Sequence, residues 1–149
     1  MFEYIDKILP KQKRENATGN REYKIYLDLE KEPNKEIKKT RDLPVREIDY
    51  LRQIKLEKKI NKRASQLRYR LEEGHGRALY IIGIKDDGTP EGISIEKLFK
   101  SLNFLFKMVD IIQATIKNIR IYRGNMEGKY VFTARIEIPN YTPKQLISI

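Results

Sequence analysis

Ala64-Ser65-Gln66-Leu67-Arg68-Tyr69-Arg70-Leu71-Glu72-Glu73-Gly74-His75-Gly76, followed by Arg77-Ala78-Leu79-Tyr80-Ile81-Ile82-Gly83-Ile84-Lys85-Asp86-Asp87-Gly88, reads as a helix, a glycine turn, a strand and an acidic turn. Leu56, Ile60, Ala64, Leu67 and Leu71 recur at three- and four-residue spacing and share one helical face. Gly74 is a natural C-cap. Arg77 to Lys85 is apolar and β-branched, the pattern of a central strand. Asp86-Asp87-Gly88 and Pro90-Glu91-Gly92 then make turns. A helix that feeds directly into a buried strand implies a sheet with helices packed against it.

On the N-terminal side, Arg21 to Glu30 alternates. Tyr23, Ile25, Leu27 and Leu29 share one face, with Glu22, Lys24, Tyr26 and Asp28 on the other, which predicts a half-buried strand. Residues 31–43 form a polar connection containing Pro33, and a helix is expected from near Pro44. Ile48, Leu51 and Ile54 fall outside the later apolar stripe, which predicts a kink or a break near residue 54. On the C-terminal side, Ser94 is an N-cap candidate. It precedes a helix with the stripe Ile95, Leu98, Phe99, Leu102, Leu105, Phe106 and Val109. Thr115 to Arg123 and Lys129 to Ile138 read as strands joined by a hairpin loop at residues 124–128. Tyr130, Phe132, Ala134, Ile136 and Ile138 face inward. The predicted fold is α+β, β-α-β-α-β-β, with two helices on one face of the sheet. Residues 1–18 lack periodicity and read as a basic N-terminal arm that orders on a partner. Residues 19–139 form one domain, and residues 140–149 a C-terminal tail.

The chain has 149 residues, enough for one domain with a real core. Charged residues make up 35% of it and the net charge is +10, which favours a polyanionic partner. No apolar run approaches a membrane span, and Glu3 and Asp6 occupy the place of a signal-peptide core, so a cytoplasmic protein without a membrane partner is expected. Cysteine is absent, which removes disulfides, thiolate metal sites and cysteine nucleophiles. A single histidine, His75, leaves no multi-histidine metal site and no cofactor signature. Abundant Lys, Glu and Ile without Cys suggests a thermophilic, archaeal source.

From Lys35 to Arg70 there are thirteen Lys/Arg against five Asp/Glu, so eight of the ten excess positive charges lie in about a quarter of the chain. Each cation that meets a phosphate releases condensed counterions, giving affinity without sequence reading. Arg52, Lys55, Lys58, Lys59, Lys62, Arg63, Arg68 and Arg70 on the helix are therefore the RNA-contact candidates. Lys11, Lys13 and Arg14 on the arm join them. Tyr50 and Tyr69 interleave and offer rings for unpaired bases. His75 and Arg77, beside Gly74 and Gly76, present donors to a phosphate or base edge.

The wording of Arg68-Tyr69-Arg70-Leu71-Glu72-Glu73-Gly74 and Ile82-Gly83-Ile84-Lys85-Asp86-Asp87-Gly88 resembles the segment before the G domain in the GTP-binding protein 1/2 family of translational GTPases. The resemblance runs from about Gly19 to Pro139. It implies a role in translation, with ribosomal RNA and neighbouring ribosomal proteins as partners. No G-x-x-x-x-G-K-[ST] occurs, so GTP is not an expected ligand. The element order is similar to the Alba fold of chromatin and RNA binding and to an initiation-factor C-terminal domain. Glu22-Tyr23-Lys24 and the Ile82–Asp87 stretch also resemble the core of Schlafen-type endoribonucleases. There, Glu22 and Asp86 or Asp87 would hold a divalent ion. The second glutamate of that set falls at about Ala17, which cannot ligate a metal. The expectation is thus a non-catalytic ribosomal or ribosome-associated RNA-binding protein. A Schlafen-like nuclease acting on tRNA or ribosomal RNA is the alternative, and an Alba-like chromatin protein a further one.

Overall fold

The computed structural model describes residues 2–27 and 45–142. Leu29, the polar connection, the start of the helix at Pro44 and most of the C-terminal tail lie outside the described residues. The elements are β1 (Phe2–Ile8), β2 (Arg21–Lys24), α1 (Val45–Glu73), β3 (Arg77–Ile82), α2 (Ile95–Ile111), β4 (Thr115–Arg123) and β5 (Tyr130–Glu137). The strands form one sheet in the order β1-β4-β5-β3-β2. The pairs β1–β4 and β2–β3 are parallel, and β3–β5 and β4–β5 antiparallel. Among the described residues this is an α+β fold with a mixed five-stranded sheet and two helices, consistent with the expected Alba-like arrangement.

The core forms where the alternation said it would. Phe132, Ala134 and Ile136 of β5 are fully buried, with Tyr80 and Ile82 of β3 and Ile119 of β4 beside them. Onto this face pack Ala64, Leu67 and Leu71 of α1 and Leu98, Leu102, Leu105 and Met108 of α2. Burying each of those leucines contributes about 1.5–3 kcal/mol. The last turns of α1 therefore anchor it firmly. The Ser94 hydroxyl caps α2 by accepting the Lys97 N–H at 3.2 Å.

Four expectations are corrected. The residues read as an aperiodic arm contain β1, an edge strand that is hard to see because it runs parallel to β4 and most of its side chains stay exposed. Helix α1 runs through residue 54 without the break that was one of the two expected forms. Ile48, Leu51, Ile54, Leu56 and Ile60 are all half-buried, Ile60 against the core, and no residue between Arg46 and Arg63 is fully buried. In α2 the buried face is rotated, with Ser101, Phe104 and Met108 inside and Ile95 and Phe99 about half exposed. Ser101 belongs in the core because its hydroxyl accepts the Leu27 N–H at 2.9 Å. Finally, β2 ends at Lys24, so Ile25 leaves the predicted inward face while Tyr23 and Leu27 remain buried.

A second, smaller cluster lies on the sheet face away from the helices: Leu9, Tyr23, Ile81, Ile84 and Val131. Leu9 comes from the segment that follows β1. That segment covers part of this face and leaves the rest open.

Candidate nucleic-acid interface

Helix α1 places its cations unequally. Arg52, Lys58 and Lys62 are exposed, whereas Lys55, Lys59, Arg63 and Arg68 are half-buried. The Arg63 Nη1 donates to Gln66 Oε1 at 3.2 Å, and the Arg68 Nε is buried without a hydrogen-bond partner among the described residues. Tyr50 is 66% exposed and its ring is open to a ligand. The half of α1 that holds Arg52 and Lys58 carries no buried residue, so these cations stand on a surface the core does not need.

Arg70 leaves the candidate set. It is 4% exposed, and its guanidinium is saturated from inside the protein. Nε donates to Glu22 Oε1 at 3.2 Å, Nη1 to the carbonyls of Thr18 and Gly19, and Nη2 to the Asn16 carbonyl at 3.0 Å. Glu15 Oε2 lies 3.7 Å from Nη2. A planar fork of five donors suits this crowding, which a lysine would not satisfy. Tyr69 joins the same knot. Its hydroxyl donates to the Ala17 carbonyl at 3.0 Å, and the Arg70 guanidinium lies 5.6 Å from its ring centroid. Tyr69 thus tethers the N-terminal segment through its hydroxyl while the residue stays 42% exposed.

Glu22, expected on the outward face, is 7% exposed and points at the helices. The alternation of β2 was legible, but both of its faces are covered: Tyr23 by the N-terminal segment, Glu22 by Arg70. The carboxylate is also 3.7 Å from Lys24 Nζ. Burial, followed by the charge and hydrogen bond of neighbouring Glu22, pushes the Glu15 carboxyl up to about 7, against the opposing pull of the Tyr23 N–H and Arg70.

Lys11, Lys13 and Arg14 are exposed on a segment held at every step. Gln12 N–H donates to the Gly88 carbonyl at 2.8 Å and Glu15 N–H to the Asp86 carbonyl at 2.7 Å. The Tyr23 hydroxyl donates to the Lys13 carbonyl at 2.8 Å. Asp86-Asp87-Gly88 is therefore a clamp. A Cβ on Gly88 would overlap the Gln12 carbonyl, and its φ of +93° favours glycine as well. The Asp87 carboxylate accepts the Thr89 N–H at 2.9 Å, which closes the turn. The Thr89 side chain first, and then this N–H, hold the Asp87 pKa below the usual carboxylate value.

His75 and Arg77 are exposed at the end of α1. Helix α1 stops before Gly74 as expected, yet the left-handed residues are His75 at φ +53° and Gly76 at +91°. Gly74 matters for space, since a Cβ there would overlap the Arg77 carbonyl. Arg77 pairs loosely with Glu137 at 3.8 Å.

One group of residues escaped the sequence reading. Arg21, Arg120 and Arg135 sit on three different strands and surround a cavity of about 260 Å³ on the open sheet face. Each looks like an ordinary polar residue of an alternating strand, and only the register brings them together.

Among the described residues no group of three or more His, Asp or Glu side chains is placed to share a metal ion. Glu22 faces the helices and is bonded to Arg70, while Asp86 and Asp87 sit in the clamp. The acidic residues named for a nuclease site are thus held in two separate structural roles.

Comparison with known proteins gives local likeness only. The chain is 38% identical to GTP-binding protein 2 of Homo sapiens and of Mus musculus over 56 residues, covering 38% of this chain and 9% of those proteins. It is 31% identical over 81 residues to an uncharacterized protein of Acanthamoeba polyphaga mimivirus, covering 54% of this chain and 42% of the viral protein. The chain therefore spans less than half the length of these relatives. No family model matches. No solved structure matches. Among the described residues no helix is long and apolar enough to cross a membrane.

Proposed function

We propose that this chain is a non-catalytic RNA-binding protein of the translation machinery, either an integral ribosomal protein or a factor bound to the ribosome in the cytoplasm. The observation that carries the reading is that Arg52, Lys58 and Lys62 are all exposed on a helix anchored through Ala64, Leu67 and Leu71. Cations on a rigid rod that the core does not require suit phosphate neutralisation at a fixed register. Lys11, Lys13 and Arg14 would add contacts from the clamped segment. The link to translation comes from the resemblance of Arg68–Gly74 and Ile82–Gly88 to the GTP-binding protein 1/2 family of translational GTPases, with which the local 38% identity to GTP-binding protein 2 agrees in part. On our reading that identity falls in the segment before the family's G domain, and these 149 residues contain no G-x-x-x-x-G-K-[ST] stretch to hold GTP phosphates.

The test is to sediment lysate of the source cells through sucrose and follow the protein across the gradient. Co-migration with a ribosomal peak through a high-salt wash supports an integral component, and loss on washing supports a bound factor. Recovery only at the top of the gradient in low salt would contradict both.

A further inference from the structure

The strand register builds a basic groove on the sheet face that the helices leave free. Residues paired across neighbouring strands stand side by side on one face. Arg21 pairs with Leu79, Leu79 with Arg135, and Arg135 with Asn118. One row across the sheet therefore reads Arg21, Leu79, Arg135, Asn118, with the two arginines two strand spacings, about 10 Å, apart. The next row on this face carries Ile81 and Arg120. One further step along β4 brings Tyr122, which also lines the cavity. Leu9 and Gln12 of the N-terminal segment form one wall.

The groove is lined by three arginines and no carboxylate. Arg21 and Arg135 have no ion-pair partner among the described residues. Arg120 pairs with Glu3 at 3.1 Å, but both side chains are about half exposed, so the pair yields readily to a stronger anion. The choice of arginine is informative. The helix face offers mainly lysine point charges, while the sheet offers planar forks that bind phosphate in a bidentate manner and stack on bases. An apolar floor at Leu79 and Ile81 with a half-buried Tyr122 ring suits unpaired bases, which a duplex does not present.

We infer that this groove binds single-stranded RNA, with phosphates on Arg21, Arg120 and Arg135 and a base against Tyr122. The inference rests on the RNA-binding reading but uses a different surface from α1. The duplex-like or structured RNA backbone meets the helix, and an adjoining unpaired segment crosses the sheet.

The test measures anisotropy of a fluorescein-labelled oligouridine and, separately, of a labelled blunt RNA duplex. The proteins are the wild type, Arg21→Glu/Arg135→Glu, Tyr122→Ala and Lys58→Glu/Lys62→Glu, each checked for an unchanged melting profile. The groove variants should lose roughly tenfold or more of oligouridine affinity. The arginine pair should also flatten the salt slope by about 0.7 per lost phosphate. Both should keep duplex affinity, which the helix variant loses. Arg21→Lys/Arg135→Lys, which keeps charge and folding, should fall between. Oligouridine affinity unchanged in all groove variants overturns the groove while leaving the helix reading intact if Lys58→Glu/Lys62→Glu still loses the duplex. Tighter binding of a poly-glutamate peptide than of oligouridine, abolished by the same arginine variants, overturns it in favour of an acidic protein partner.

Discussion

Arg70 and Glu22, 48 residues apart, meet through an Nε–Oε1 hydrogen bond of 3.2 Å between helix α1 and strand β2, with both side chains under 10% exposed. The guanidinium also gathers the carbonyls of Asn16, Thr18 and Gly19. One side chain thus joins the basic helix, the sheet and the N-terminal segment. Exposed pairs such as Lys100–Glu96 contribute only about 0.3–0.5 kcal/mol. The buried one is different in kind, because removing one partner strands the other charge.

Arg70→Ala should accordingly destabilise the protein by about 3–5 kcal/mol in denaturant unfolding. Glu22→Gln together with Arg70→Met should cost clearly less than the sum of the two single changes, since neither residue is then a lone buried charge. Strict additivity would show that the two residues do not act as a pair.

The Glu15 carboxyl gives a pH dependence. Folded Glu15 holds its proton up to about 7, against an ordinary value of 4.5. The folded state therefore binds this proton more tightly than the unfolded chain does. The associated stability is complete below pH 4.5 and is lost as pH rises toward 7. Thermal melts should show a falling Tm across that window, and Glu15→Gln should flatten it. A Tm that rises through the same window in the wild type and is unaltered in Glu15→Gln contradicts the assignment.

The clamp on the N-terminal segment is tested at Gly88. A β-carbon there meets the Gln12 carbonyl and must hold a φ of +93°. Gly88→Ala should cost about 1–3 kcal/mol from backbone strain alone. It should also open residues 9–19 to limited proteolysis before the rest of the chain. Cleavage rates equal to wild type would mean that the clamp does not hold the segment.

Tyr80 supplies a contrast. Its hydroxyl is buried without a hydrogen-bond partner among the described residues, and burial pushes its pKa far up. Leaving a hydroxyl unpaired costs about 1–3 kcal/mol, so Tyr80→Phe should be neutral or stabilising in chemical denaturation. A loss above about 1 kcal/mol would reveal a hydrogen bond that the hydroxyl makes in solution.

What the sequence made legible divides along physical lines. Strands β3, β4 and β5 and the Ser94 cap were readable because their signals are local: period-two burial, a glycine hairpin and a hydroxyl before an apolar run. Strand β1 was not, since a parallel edge strand with exposed side chains leaves no alternation. Glu22 was misplaced because alternation says which residues share a face, not whether the second face is also covered. Arg70 was counted with the surface cations for a related reason. Its partners lie 48 to 55 residues away, and nothing within α1 separates it from Arg63. The arginine groove is a product of register alone, so Arg21 and Arg135 became neighbours only once β3 lay between them.

The central claim is that the exposed cations of α1 neutralise RNA phosphates. Its most direct test is the salt dependence of binding to ribosomal RNA, from about 50 to 200 mM, for wild type and for Arg52→Glu/Lys58→Glu/Lys62→Glu. The account predicts an unchanged melting temperature, because none of the three is buried. It predicts sharply weaker binding and a slope shallower by about 0.9 for each duplex phosphate contact removed. Equal affinity and equal slope in the two proteins would contradict it.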